Sequence, residues 1–137
     1  MFFNKKENKS EDLYLIKIAA LLIHTAKIDE KYTDDEEEII KQTLINLGAN
    51  QTKLDFIISN AQKSEEESNQ ILEFTKEIKN LSEKEKIKIV KSLWKIVYSN
   101  KRADIYETNL MRRLSGLLYI DSKIMGEIKE QIEKENL

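Results

Sequence analysis

Side chains that carry oxygen recur at one fixed spacing in this sequence. Asp29 is followed 71 positions later by Asn100, and Glu36 is followed at the same spacing by Glu107. Carboxylate and amide oxygens are the ligands that Ca²⁺ and Mg²⁺ prefer, but about six to eight oxygens must converge on Ca²⁺. The D-x-D-x-D-G spacing of an EF-hand loop is absent. The four residues can therefore hold a cation only if the two turns that carry them come together.

Helix capping explains two of these four residues without any ligand. Thr33 with Glu36, and Asp104 with Glu107, have the spacing of a capping box, in which the glutamate accepts a hydrogen bond from the capping residue's backbone N–H. Asp29 follows an apolar helix and is not explained as a cap. We prefer capping combined with ion pairing to a metal site, and the metal site stays as the alternative.

Basic residues are concentrated in the second half of the chain. Four lysines at helical spacing lie on one face, opposite an apolar stripe, and we name them the lysine face: Lys84, Lys88, Lys91 and Lys95. Such a face can contact an acidic protein, an anionic membrane surface or a nucleic acid, although a merely solvated face is the simpler interpretation. The formal net charge of -2 disfavours nucleic acid.

Composition excludes several classes of protein. The 137 residues include no Cys, so disulfides, thiolate metal ligands and a cysteine nucleophile are excluded. His24 is the single histidine and has no partner for a zinc site. The most apolar run, residues 13–26, is shorter than the ~20 residues that span a bilayer. We expect a cytoplasmic protein with a flexible tail at residues 1–10 and one domain at residues 11–137.

Apolar residues recur with helical periodicity throughout the chain, and sustained alternation of period two is absent. The sequence predicts an all-α bundle of about seven helices, built from two helix-turn-helix copies at 15–48 and 86–119. Helix one, from about Glu11 to Lys27, is apolar on nearly all sides, so we expect it to be central and to pack against helix five. The third helix is predicted to end near Lys63, and the fourth, at 65–80, to be a peripheral connector.

The repeated stretch resembles the tellurite-resistance TerB-like family, in which an apolar helix, an acidic turn and a capped second helix occur twice. The resemblance covers nearly all of residues 11–134 and rests on two sets of residues, namely Ile28-Asp29-Glu30 with Thr33 and Glu36, and Ser99-Asn100-Lys101 with Asp104 and Glu107. It implies a compact helical bundle that is linked to stress responses and has no established catalytic activity.

The same resemblance implies that the acidic turns hold a divalent cation, Ca²⁺ or Mg²⁺. Carried over by position, the metal ligands are Asp29, Glu36 and Glu107, with Asn100 where the family has a second Asp. The chain departs from the family at both turn glycines, which are Glu30 and Lys101 here. A non-glycine residue is uncommon at positive φ, and the cationic Lys101 and Arg102 would repel a bound metal.

Together these features predict a non-enzymatic interaction domain that binds a protein partner or a membrane surface. The alternative is a divalent-cation-binding domain that uses the acidic turns. An enzyme is the least favoured class, because the sequence has no Gly-rich phosphate loop and no His-Glu-x-x-His motif.

Overall fold

The computed structural model describes the backbone of residues 2–29, 33–68, 70–100 and 105–135, and the side chains of 13–28, 33–68, 70–99 and 105–135. In these ranges the regular structure is entirely helical, which confirms the predicted all-α fold. Seven α-helices follow one another: α1 Phe2–Ala26, α2 Asp34–Asn46, α3 Leu54–Glu67, α4 Leu72–Ile78, α5 Glu83–Val97, α6 Ile105–Leu117 and α7 Ser122–Glu135. Three short 3₁₀ helices lie between them, at Lys27–Asp29, Gln51–Lys53 and Tyr98–Asn100.

The two copies of the repeat have matching element boundaries. α1 ends at Ala26 and α5 ends at Val97, and each is followed at once by a three-residue 3₁₀ helix. The next helix of each copy, α2 or α6, is 13 residues long. α1 and α5 pack against each other, as the sequence predicted.

The helix α1 is the centre of the molecule. It contacts α2, α3, α4 and α5, and every side chain from Ile18 to Ile23 has an exposed fraction of 0%. A helix that is apolar on all sides must be covered on all sides, and the neighbouring helices provide this cover. None of the helices, over the residues described, is both long enough and apolar enough to cross a membrane.

Helix boundaries differ from prediction in the middle of the chain. α3 continues to Glu67 instead of ending near Lys63, and α4 begins only at Leu72. The break falls at Ser68, whose backbone is extended (φ −95°, ψ 141°) and whose hydroxyl accepts a hydrogen bond from the Gln70 N–H at 3.3 Å. Side-chain bonds of this local kind compete with helical hydrogen bonds.

Two further differences concern α4 and α1. α4 is not the peripheral connector predicted, because it contacts α1 and buries Phe74 and Ile78, which are 1% and 0% exposed. α1 begins at Phe2, well before the predicted start near Glu11. The flexible tail at 1–10 and the single domain at 11–137 stay predictions.

The second helix of each copy ends in the same hydrogen-bonded motif. The Ala49 N–H donates to the Leu44 carbonyl at 2.9 Å, and the Ile120 N–H donates to the Ser115 carbonyl at 3.0 Å. The residue immediately before each donor has a positive φ. It is Gly48 (103°) in the first copy and Tyr119 (56°) in the second. This is a Schellman motif, in which glycine is the usual residue at the positive-φ position.

A tyrosine at positive φ is strained, and two cations lie beside its ring. The ammonium groups of Lys79 and Lys86 lie 5.7 Å and 5.9 Å from the centroid of the Tyr119 ring. Cation–π contacts at exposed sites contribute about 0.5–1 kcal/mol each, which is comparable with the cost of the backbone conformation. The contacts therefore offset the strain that the missing glycine introduces.

We expect Gly48→Ala to lower the free energy of unfolding by about 1–2 kcal/mol, because a Cβ disfavours positive φ. The added methyl has no neighbour within 4 Å, so the change isolates backbone strain from steric clash. Gly126→Ala in α7 is the matched control, since its methyl is equally unhindered. We expect this change to raise the free energy of unfolding by about 0.5–1 kcal/mol, because alanine favours a helix interior more than glycine does. Urea unfolding measures the change in the free energy of unfolding for both variants. Changes of the same sign would show that the positive φ of Gly48 does not disfavour alanine.

Candidate functional site

The first turn of α2 contains a complete capping box. Thr33 has an extended backbone (φ −91°, ψ 163°), and its hydroxyl accepts a hydrogen bond from the Glu36 N–H at 3.2 Å. In return, Glu36 Oε1 accepts hydrogen bonds from the Thr33 N–H at 2.8 Å and from the Thr33 hydroxyl at 3.1 Å. The predicted capping role of Glu36 is confirmed, and one of its two carboxylate oxygens is engaged in it.

Glu36 and Glu107 are buried to the same extent at equivalent places in the two copies. Each is 2% exposed and lies in the first turn of its helix, where the helix dipole favours a negative charge. The sequence indicated the two positions but not their burial. A signal was present, because Ile40 and Met111 follow four residues later on the same helical face and are core residues.

The other members of the predicted metal set lie outside the described side chains. Asp29 and Asn100 are the last residues of two 3₁₀ helices, and only their backbone is described. Asp104, Lys101 and Arg102 fall outside the described residues altogether. The metal set of Asp29, Glu36, Asn100 and Glu107 therefore stays a prediction. Over the part of the chain that is described, no group of three His, Asp or Glu residues lies close enough to hold a metal ion.

The lysine face lies on the solvent side of α5. Lys84, Lys88 and Lys95 are exposed and Lys91 is half-buried. The opposite side of the helix is in the core, with Ile89, Leu93 and Ile96 almost completely buried.

The four ammonium groups of the lysine face have no carboxylate partner among the described residues. The ion pairs among the described residues both involve Glu65 of α3, and neither includes a lysine of the lysine face. The Lys88 ammonium instead lies 3.4 Å from the Asn46 carbonyl oxygen at the end of α2. None of the four lysines therefore forms an ion pair with a described residue.

A groove of about 560 Å³ borders the lysine face and lies between α2, α5 and α7. Lys95 lines it together with three exposed acidic residues, Asp35, Glu38 and Glu135. The hydroxyl oxygens of two further lining residues, the buried Thr43 and Ser92, are 2.6 Å apart. Sequence reasoning missed the groove, because α7 reaches it only through its packing on α5.

His24 belongs to a small ion-pair cluster that joins the end of α1 to α3. Its Nδ1 lies 3.4 Å from Glu65 Oε1, and the Lys27 ammonium donates to Glu65 Oε2 at 2.9 Å. The Glu65 side chain is 12% exposed, so its charge is partly removed from water and needs these partners. The contact is a structural one between two helices, and the sequence had not indicated it.

Two tyrosine hydroxyls donate hydrogen bonds to glutamates on other helices. Tyr14 in α1 donates to Glu85 at 3.1 Å, and Tyr98 donates to Glu133 at 3.3 Å. Burial first, and then the adjacent carboxylate, raises the pKa of each phenol above its ordinary value. Both hydroxyls therefore stay protonated at neutral pH and act as donors that link α1 to α5 and the 3₁₀ helix after α5 to α7.

Comparison with known proteins gave one family. A family model described as "Tellurite resistance protein TerB" matches residues 15–130, which is most of the chain and includes both copies of the repeat. A comparison with curated proteins gave no match, and a comparison with solved structures gave none either.

We expect Thr33→Ala to lower the free energy of unfolding by about 1 kcal/mol, since it removes the hydroxyl that accepts the Glu36 N–H. Thr33→Ser keeps that hydroxyl and is the matched control, with an expected change of a few tenths of a kcal/mol. Both variants are measured by urea unfolding in EDTA, so that no bound metal contributes. Equal losses in the two variants would show that the cap does not stabilise α2.

Proposed function

The chain belongs to the tellurite resistance TerB family, and on that premise we propose that it is a non-enzymatic interaction domain of a stress response whose lysine face binds an acidic protein partner. The observation that carries this proposal is the lack of any carboxylate partner for the four lysines among the described residues.

Like charges at helical spacing repel each other. Neighbouring lysines of the lysine face are three or four residues apart, and such pairs destabilise a helix by about 0.2–0.5 kcal/mol each. An acidic partner removes this repulsion when it binds. The distance from Lys84 to Lys95 corresponds to a rise of about 16 Å along α5, or three helical turns. The lysine face is therefore as long as a partner helix of about three turns.

The adjacent groove favours a protein over a lipid surface or a nucleic acid. An anionic membrane that approached Lys95 would also meet the carboxylates of Asp35, Glu38 and Glu135, which repel it. A protein segment that carries both charges can place acids on the lysine face and a base in the groove. Ile39 and Ile132 add apolar surface there for such a segment to cover.

We expect reversal of the lysine face (Lys84→Glu, Lys88→Glu, Lys91→Glu and Lys95→Glu together) to weaken binding of a glutamate-rich helical peptide at least tenfold. The control reverses four lysines elsewhere, at Lys41, Lys53, Lys123 and Lys134, and so has the same net charge. Fluorescence anisotropy of the labelled peptide measures the affinity, which should fall with added salt. Equal affinities in the two variants would contradict the proposal.

Two further probes separate the classes of partner. Vesicles that contain phosphatidylserine and a single-stranded oligonucleotide are titrated under the same conditions as the peptide. Tighter binding of either than of the peptide would replace the protein partner by a membrane surface or a nucleic acid. Weaker binding of both would support the protein partner.

A second candidate function is divalent-cation binding, and the equal burial of Glu36 and Glu107 favours it. Carboxylate and amide oxygens suit Ca²⁺ or Mg²⁺, and the two glutamates occupy equivalent first-turn positions in the two copies of the repeat. The residues that would hold the cation are Glu36, Glu107, Asp29 and Asn100.

Glu36→Gln separates the cation from the cap, because glutamine also serves as the third residue of a capping box. If a cation binds, Ca²⁺ or Mg²⁺ at ~100 times its Kd should raise the stability of the wild type by about 2.7 kcal/mol and should not stabilise the variant. Glu38→Gln, an exposed position of α2, is the control and should respond like the wild type. Thermal unfolding with EDTA and with each ion measures the shift, and no shift in the wild type would remove this candidate.

A further inference from the structure

A separate cavity lies on another side of α5, between α5, α6 and α7. It has a volume of about 280 Å³, near the lower end of the range for small-molecule pockets. Its apolar lining includes Trp94, Met111 and Met125, and its cationic lining is Arg112 and Lys129. No carboxylate is among the described residues that line it. We name this cavity the tryptophan pocket.

Trp94 has a buried hydrogen-bond donor without a partner. Its side chain is 3% exposed, and its Nε1–H makes no hydrogen bond to any described residue. An unsatisfied buried donor is destabilising, and such groups are rare in native proteins. The Tyr98 ring stacks on the Trp94 indole, with 6.0 Å between the ring centroids. The indole is therefore held in place by packing, and its buried Nε1–H has no acceptor among the described residues.

The two cations of the tryptophan pocket are also uncompensated. The Lys129 ammonium lies 5.7 Å from the centroid of the Trp94 ring, and neither Lys129 nor Arg112 forms an ion pair among the described residues. Lys129 is half-buried and Arg112 is exposed, and both line the pocket.

We propose that the tryptophan pocket binds a small organic carboxylate with an apolar body. The carboxylate oxygens accept hydrogen bonds from Arg112 and Lys129, while the apolar body covers Trp94, Met111 and Met125. The planar guanidinium of arginine matches the two oxygens of a carboxylate, and the apolar lining favours an organic anion over inorganic phosphate. This site lies away from the lysine face and does not depend on the function proposed for it.

The fluorescence of Trp94 reports binding directly, because it is the only tryptophan of the chain. Three probes separate the parts of the proposal: benzoate has both the anion and the apolar body, benzamide lacks the charge, and inorganic phosphate lacks the apolar body. We expect saturable binding of benzoate and at least tenfold weaker binding of the other two. Benzamide that binds as tightly as benzoate, or phosphate that binds more tightly, would overturn the proposal.

Variants then locate the site. Lys129→Met keeps the methylene chain and removes the charge, and we expect it to weaken benzoate binding at least tenfold. Lys123→Met, an exposed position of the same helix outside the cavity, is the matched control and should leave binding unchanged. Circular dichroism establishes that each variant is folded, and wild-type affinity in a folded Lys129→Met protein would refute the site.

Discussion

The burial of α1 is the constraint on which the rest of the structure depends. The segment of α1 from Ile18 to Ile23 is apolar around its whole circumference and loses stability wherever water reaches it, so several other helices must cover it. α2, α3, α4 and α5 share this task, and α5 in turn has its own outer side covered partly by α7. The lysine face, the groove and the tryptophan pocket all lie on what remains of the surface of α5, so each surface is a consequence of how α1 is enclosed.

Local signals in the sequence were sufficient for most of the fold. The Thr33–Glu36 capping box indicated where α2 begins, and Gly48 indicated where it ends. The repeat then predicted the boundaries of α6 at the equivalent positions. The break between α3 and α4 was predicted near Lys63 instead of at Ser68, because its position depends on one side-chain hydrogen bond in a stretch whose composition favours helix. Tyr119 was missed for a similar reason, since a tyrosine at positive φ is stabilised by lysines that are distant in sequence.

The candidate sites were less predictable because they depend on tertiary packing. Helical spacing was enough to place the four lysines on one side of α5, but it carried no information on Lys91, which is half-buried. The groove and the tryptophan pocket require α7 to lie against α5, and the pattern of a single helix does not specify which side of a neighbour it covers. The Trp94 donor likewise gave no signal in the sequence, where a tryptophan at a core position reads as packing alone.

The ion pairs at Glu65 have a consequence for the balance of forces in the molecule. They are the ion pairs that the described residues contain, and both converge on one carboxylate. Among the described residues, added electrolyte therefore screens few attractive ion pairs, while it reduces the repulsion between the lysines along α5. In this part of the chain the charge distribution contributes little ion-pair attraction to the folded state and presents a positive side of α5 to solvent.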